Sequence, residues 1–145
     1  MSIDERIHVL EQALKGLNAR DWDTYAALWA EELVTYAPGQ TEPSIGRAAR
    51  VAWVQDLVTA FPNGTIETRR IFGQDDLVCA ELEFEGTHTG PLKTPDGSVV
   101  PGTGKEVVLP YVIVVRFHGD EVVELHEYYD SLDLLMPLGL FPAGG

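Results

Sequence analysis

Hydrophobic spacing changes period near Thr65, and that change constrains the fold more than any other feature of the chain. Before it, apolar residues recur at helical intervals; after it, they alternate as in strands. Helices first and antiparallel strands after is the α+β pattern, with the helices laid on one face of a sheet. Ser2 and Glu5 form an S-x-x-E capping box ahead of Ile3, Ile7, Leu10, Leu14 and Leu17. Asn18-Ala19-Arg20 makes a break, and Asp21 is the expected cap of a second helix that buries Trp22, Tyr25, Leu28 and Trp29. Leu33-Val34-Thr35-Tyr36 reads as a short strand. Ser44 is the expected cap of a third helix carrying Val51, Val54, Leu57, Val58 and Phe61, which Pro62-Asn63-Gly64 ends.

Beyond Thr65, TIETRRIF, a Gly73-Gln74-Asp75-Asp76 turn and LVCAELEFEG read as one hairpin. VVLPYVIVVRF and EVVELHEYYD, joined through His118-Gly119-Asp120, read as a second. The Gly/Pro-rich stretch from Gly90 to Gly104 is too long for a tight turn. The tail LDLLMPLGL fits a short amphipathic helix. A sheet curved under three helices makes a cone, and a cone has an interior.

The chain has 145 residues and is 45% hydrophobic, which suffices for one domain with its own core. Ten Lys and Arg against 23 Asp and Glu give a formal charge of -13, which argues against nucleic acid and against an anionic membrane surface. Cys79 is alone, so neither an internal disulfide nor a cysteine-based zinc site is expected, and a cytoplasmic home follows. No metal spacing of histidines, G-x-G-x-x-G, P-loop or G-x-S-x-G motif occurs. The N-terminus lacks the order of a signal peptide, and no apolar run suggests a membrane span.

The last strand holds the most informative chemistry. Glu124, His126, Tyr128 and Asp130 share one face, at intervals of about 6.6–6.8 Å. Facing a dry interior, such groups have pKa values moved toward neutrality, where acid–base catalysis works best. Facing water, they are a solvated strand, and Asp130 is then a helix N-cap. The preceding strand is apolar on both faces, which favours the interior reading. His88, Tyr36, Trp29 and Trp53 are further candidates for lining a pocket. Core or structural roles are the competing reading for each. Glu81, Glu83 and Glu85 alternate with apolar residues as a solvated face, and Arg69, Arg70 and Arg116 are expected to pair with carboxylates.

The stretch GTHTGPLKTPDGSVVPGTGKEV, followed by a strand, a Gly-Asp turn and EVVELHEYYDSLDLLMPLGL, resembles the SnoaL-like polyketide cyclases, also called ester cyclases, of the nuclear transport factor 2-like (NTF2-like) fold group. The resemblance runs over most of the chain and is sharpest from Gly86 to Leu140. Trp29, Tyr36 and the helix end at Phe61-Pro62 also fit. It implies one domain over residues 1–145, a cone-shaped α+β barrel with N-terminal helices on a strongly curved antiparallel sheet, a deep apolar pocket, no cofactor and, by analogy, a homodimer. Cyclases of this family close a ring by intramolecular aldol condensation, with an acidic residue as general acid/base. Asp130 matches the family's recurrent strand-end aspartate. His126 stands where relatives commonly carry Trp, a departure that makes a His–Asp pair.

The implied function is a small cofactor-independent cyclase, or a related lyase or isomerase, acting on a hydrophobic carbonyl substrate. Asp130 is its acid/base, His126 or Tyr128 the proton donor, and His88, Tyr36, Trp29, Trp53 and Glu124 border the substrate. Two alternatives stand beside it. One is an epoxide hydrolase of the same fold group, using Asp130 with Arg70 or Arg116. The other is a non-catalytic module for ligand binding or dimerisation.

Overall fold

The structure, a computed structural model, describes residues 1–94 and 97–140. Helix α1 (Ile3–Asn18) begins at the expected capping box: the Glu5 backbone N–H donates to Ser2 Oγ at 3.1 Å, and the Ser2 N–H donates to Glu5 Oε1 at 3.4 Å. Helix α2 (Trp22–Ala27) is capped by Asp21, whose carboxylate accepts from the Thr24 N–H and hydroxyl. That acceptance holds the Asp21 carboxyl below the usual carboxylate range. Strand β1 (Trp29–Tyr36) starts earlier than the sequence suggests, so Trp29 belongs to the sheet and not to α2.

Ser44 lies in the two-residue strand β2 (Ser44–Ile45), and helix α3 (Arg47–Ala60) begins at Gly46 with no side-chain cap. Ser44 is therefore not the cap. Pairing of β2 with β1, Val34 with Ile45 and Thr35 with Ser44, claims it for the sheet.

Strands β3 (Thr65–Gln74), β4 (Leu77–Thr87), β7 (Glu106–His118) and β8 (Glu121–Tyr128) form the two expected hairpins. The sheet order is β2-β1-β8-β7-β4-β3. All pairs are antiparallel except β1 with β8, where Tyr36 lies beside His126 in a parallel register. The glycine-rich stretch holds a small ladder of its own, β5 (Leu92–Lys93) with β6 (Val99–Val100); residues 95–96 of that stretch lie outside the described residues. Its neck is tied to α3: the Thr89 and Gly90 N–H groups both donate to the Ala60 carbonyl. A Cβ on Gly90 would overlap the Thr59 carbonyl, so only glycine permits this approach. Helix α4 (Ser131–Leu135) closes the described chain. Residues 141–145 of the expected single domain lie outside the described residues.

The helices cover one face of the sheet. Leu10, Leu14, Leu17, Tyr25, Trp29, Val54, Val78, Ile113, Val115 and Leu125 make the main apolar cluster. Phe61, Phe84, Val107, Leu109 and Leu138 make a second, toward α4. The opposite face stays open. Val108 and Phe72, both 52% exposed, stand there. The apolar composition of β7 on both faces thus does not mean that both are covered.

Candidate functional site

The two-residue period of β8 fixes which side chains share a face, and the helices decide which face is dry. Val122, Leu125 and Glu127 point inward and are buried. Val123 is the extra residue of a bulge opposite Arg116–Phe117, which lets Val122 and Leu125 both reach the core. Glu124, His126 and Tyr128 point outward. The expected orientation of this row is therefore reversed.

On the outer face the row forms a surface network. His126 Nε2 lies 2.7 Å from Glu124 Oε1, and Arg116 Nε lies 3.5 Å from Glu124 Oε2. The His126 ring stacks on Tyr36 at 4.4 Å and 10°. Tyr128 is 56% exposed. Asp130 is exposed, and its carboxylate accepts from the Leu132 N–H at 2.9 Å as the N-cap of α4. Arg70 pairs with Glu81, and Arg116 pairs with Asp76 and Glu124, so the Asp130-centred arginine trio is not formed. Arg69 pairs with Glu83, as the sequence suggests. A concavity of about 320 Å³ opens beside Asp130, bordered by Arg69, Glu83, Tyr128 and Asp130 and reaching Leu82, Tyr111 and Tyr129.

The other candidates are scattered. Trp29 is wholly buried in the main cluster, edge-on to Tyr25 at 5.5 Å. Trp53 is 42% exposed, with the Arg50 guanidinium 5.4 Å above its ring. His88 is fully buried under the glycine-rich stretch. Its Nδ1 accepts from the Thr103 backbone N–H, and its ring lies 5.3 Å from Phe61. Burial holds its pKa below the ordinary histidine value. Cys79 is half-buried, and burial pushes its thiol up.

Inside the cone sits a cluster the sequence reading did not single out. Glu127 is buried, and its Oε1 meets Arg50 Nη2 of α3 at 2.5 Å; the two side chains are 4% and 10% exposed. Arg50 Nε also donates to the Tyr25 hydroxyl at 3.1 Å. Burial opposes the Arg50 charge, but Glu127 and Tyr25 outweigh it and hold the guanidinium above its ordinary value. Burial, reinforced by the Glu127 charge, raises the hydroxyls of Tyr111 and Tyr129. Burial also raises Tyr25, with Arg50 working against it. A signal for both ions was present. Glu127 has the strand parity of Leu125 and Tyr129, and Arg50 lies one helical turn before Val54. A lone charge on each apolar face marks a pair.

This arrangement offers a carboxylate, a fixed cation and three protonated phenols in an apolar surround, which suits proton transfer and stabilisation of a developing oxyanion. Among the described residues, no three His, Cys, Asp or Glu side chains converge as metal ligands, and no helix is long and apolar enough to cross a membrane.

Helices over one face of a bent, mostly antiparallel sheet define an NTF2-like α+β fold, a small enzyme-type fold. Residues 7–138 match the SnoaL-like polyketide cyclase family, and the chain belongs to it. Three solved structures show the same fold. AclR, a candidate hydroxylase from Streptomyces galilaeus, is 25% identical, with a TM-score of 0.82 over 97% of this chain and 100% of its own. IdmH, a candidate polyketide cyclase from Streptomyces antibioticus, is 22% identical, with a TM-score of 0.77 over 92% and 98%. An epoxide hydrolase of the LEH type from M. tuberculosis is 18% identical, with a TM-score of 0.70 over 94% and 90%. No curated protein matches the sequence.

Proposed function

We propose that the chain is an acid–base enzyme of the cyclase, lyase or isomerase kind, acting on a small hydrophobic carbonyl compound, with Glu127 and not Asp130 as its proton acceptor. The observation that carries this reading is the Glu127–Arg50 pair, whose carboxylate is buried while Asp130 is exposed and engaged as a cap. In an aldol closure, the Glu127 carboxylate takes a proton from a carbon flanked by two carbonyls. The enolate carbon forms a bond to a second carbonyl carbon, that carbonyl oxygen takes a proton from Tyr111 or Tyr25, and the phenolate so formed recovers the proton held by Glu127. Protonating Glu127 removes the counter-charge of Arg50, which then turns its excess positive charge to the developing oxyanion. Tyr111 and Tyr129 pack against the second cluster and also line the concavity beside Asp130, so the substrate's way in lies on that side.

The test compares Glu127→Gln with Asp130→Asn on a linear poly-β-keto ester. Glu127→Gln loses about 10²–10⁴-fold in turnover, and Asp130→Asn stays within a few fold. Because Glu127→Gln strands a buried cation, the Glu127→Gln/Arg50→Met double variant is measured too. It regains stability and stays inactive. An active double variant would make the pair structural, and an inactive Asp130→Asn would return the acid role to the strand end.

A further inference from the structure

Thr35 sits on the inner side of β1 and is 5% exposed, yet its hydroxyl has no hydrogen-bond partner in the protein. Burying a hydroxyl unpaired is costly, and such groups are normally satisfied by ordered water where the protein offers nothing. Thr35 borders a recess of about 20 Å³ that is also lined by Gln40, Ser44, Arg50, Trp53 and Glu127. One water needs about 10–15 Å³ of such space and two to four polar partners. The recess therefore has room for one water, and its walls carry a hydroxyl, a guanidinium and a carboxylate. Toward solvent its rim is polar: the Gln40 side-chain amide donates to Ser44 Oγ at 3.3 Å. This flank, formed by β1, β2 and α3, lies apart from the Tyr111 and Tyr129 side of Glu127 on β7 and β8.

We propose that the recess is a bound-water site: one water accepts from the Thr35 hydroxyl, donates to the Glu127 carboxylate, and connects the buried ion pair to bulk solvent past Gln40 and Ser44. The substrate and the water then approach Glu127 from different flanks. The proton that Glu127 takes from substrate exchanges with solvent through this water before one proton returns to the tyrosine, so the site ends the cycle unchanged. This relay rests on the acid–base reading of Glu127; the water site itself does not.

The experiment has two arms on the full chain. In a high-resolution crystal structure, wild type shows a water within about 3.2 Å of both Thr35 Oγ1 and a Glu127 carboxylate oxygen. Thr35→Val, which keeps the shape and removes the hydroxyl, loses it. By ¹⁵N NMR, exchange of the Arg50 Nε–H with solvent slows about tenfold in Thr35→Val and is retained in Thr35→Ser. A dry recess in wild type overturns the site, and an unchanged Arg50 exchange rate overturns the connection to solvent. Neither readout requires turnover. If both hold while Glu127→Gln stays active, the water site stands and the acid–base reading falls; if both fail while Glu127→Gln is inactive, the reverse is true.

Discussion

Strand β8 carries ionisable groups on both faces, and the two faces sit in different surroundings. Outside, Glu124 shares its charge among His126, Arg116 and water. Inside, Glu127 pairs, among the described residues, with one cation, Arg50, beside the main apolar cluster. The side-chain chemistry is the same, and the two lie three positions apart in sequence. What differs is how much each group depends on its partner. An exposed carboxylate deprived of a partner is solvated, whereas a buried one has nothing to replace it.

The sharpest way to break this contrast is to neutralise each acid in turn. Glu127→Gln is expected to cost about 3–5 kcal/mol of unfolding free energy in denaturant titration, because it leaves a buried guanidinium unpaired. A loss under about 1 kcal/mol, the size expected of surface pairs, would place Glu127 in the same class as Glu124.

A second inner group gives a pH test. The folded-state pKa of His88 is lowered by burial, so the unfolded chain binds the extra proton more readily. Stability is then lost as pH falls below the ordinary histidine value of about 6.5, by at most about 1.4 kcal/mol per pH unit for this one group. His88→Gln should flatten the slope of stability between pH 7 and pH 5. An unaltered slope would mean that the ring charges without cost.

Outer-face changes are smaller. Asp130→Ala removes the cap of α4 and should cost about 1 kcal/mol, within the range seen for lost N-caps. Glu124→Gln should cost less than about 1 kcal/mol and fade further in high salt.

Much of the architecture was legible in the residues. Ser2 with Glu5 marked the first helix, and the His118-Gly119-Asp120 turn marked the last hairpin, because capping and turn chemistry act locally. Ser44 and Trp29 misled for the opposite reason: pairing with distant strands overrode a local preference. The same limit applies to the site. Alternation along β8 separated Glu124, His126 and Tyr128 from Leu125 and Tyr129, but periodicity says which residues stand together and not which side is wet. Only the placement of α3 settles that, and with it the meeting of Arg50 and Glu127.

The parallel seam between β1 and β8 has a consequence for how this molecule comes into being. It joins Trp29 to Val122, segments roughly ninety residues apart, so the sheet cannot close on its short side from local contacts alone. A growing chain that has emerged only as far as β7 already holds Arg50 but lacks the acid that neutralises it. The ion pair is then a late event in maturation, and partly synthesised chains expose the β1 flank that β8 will later cover.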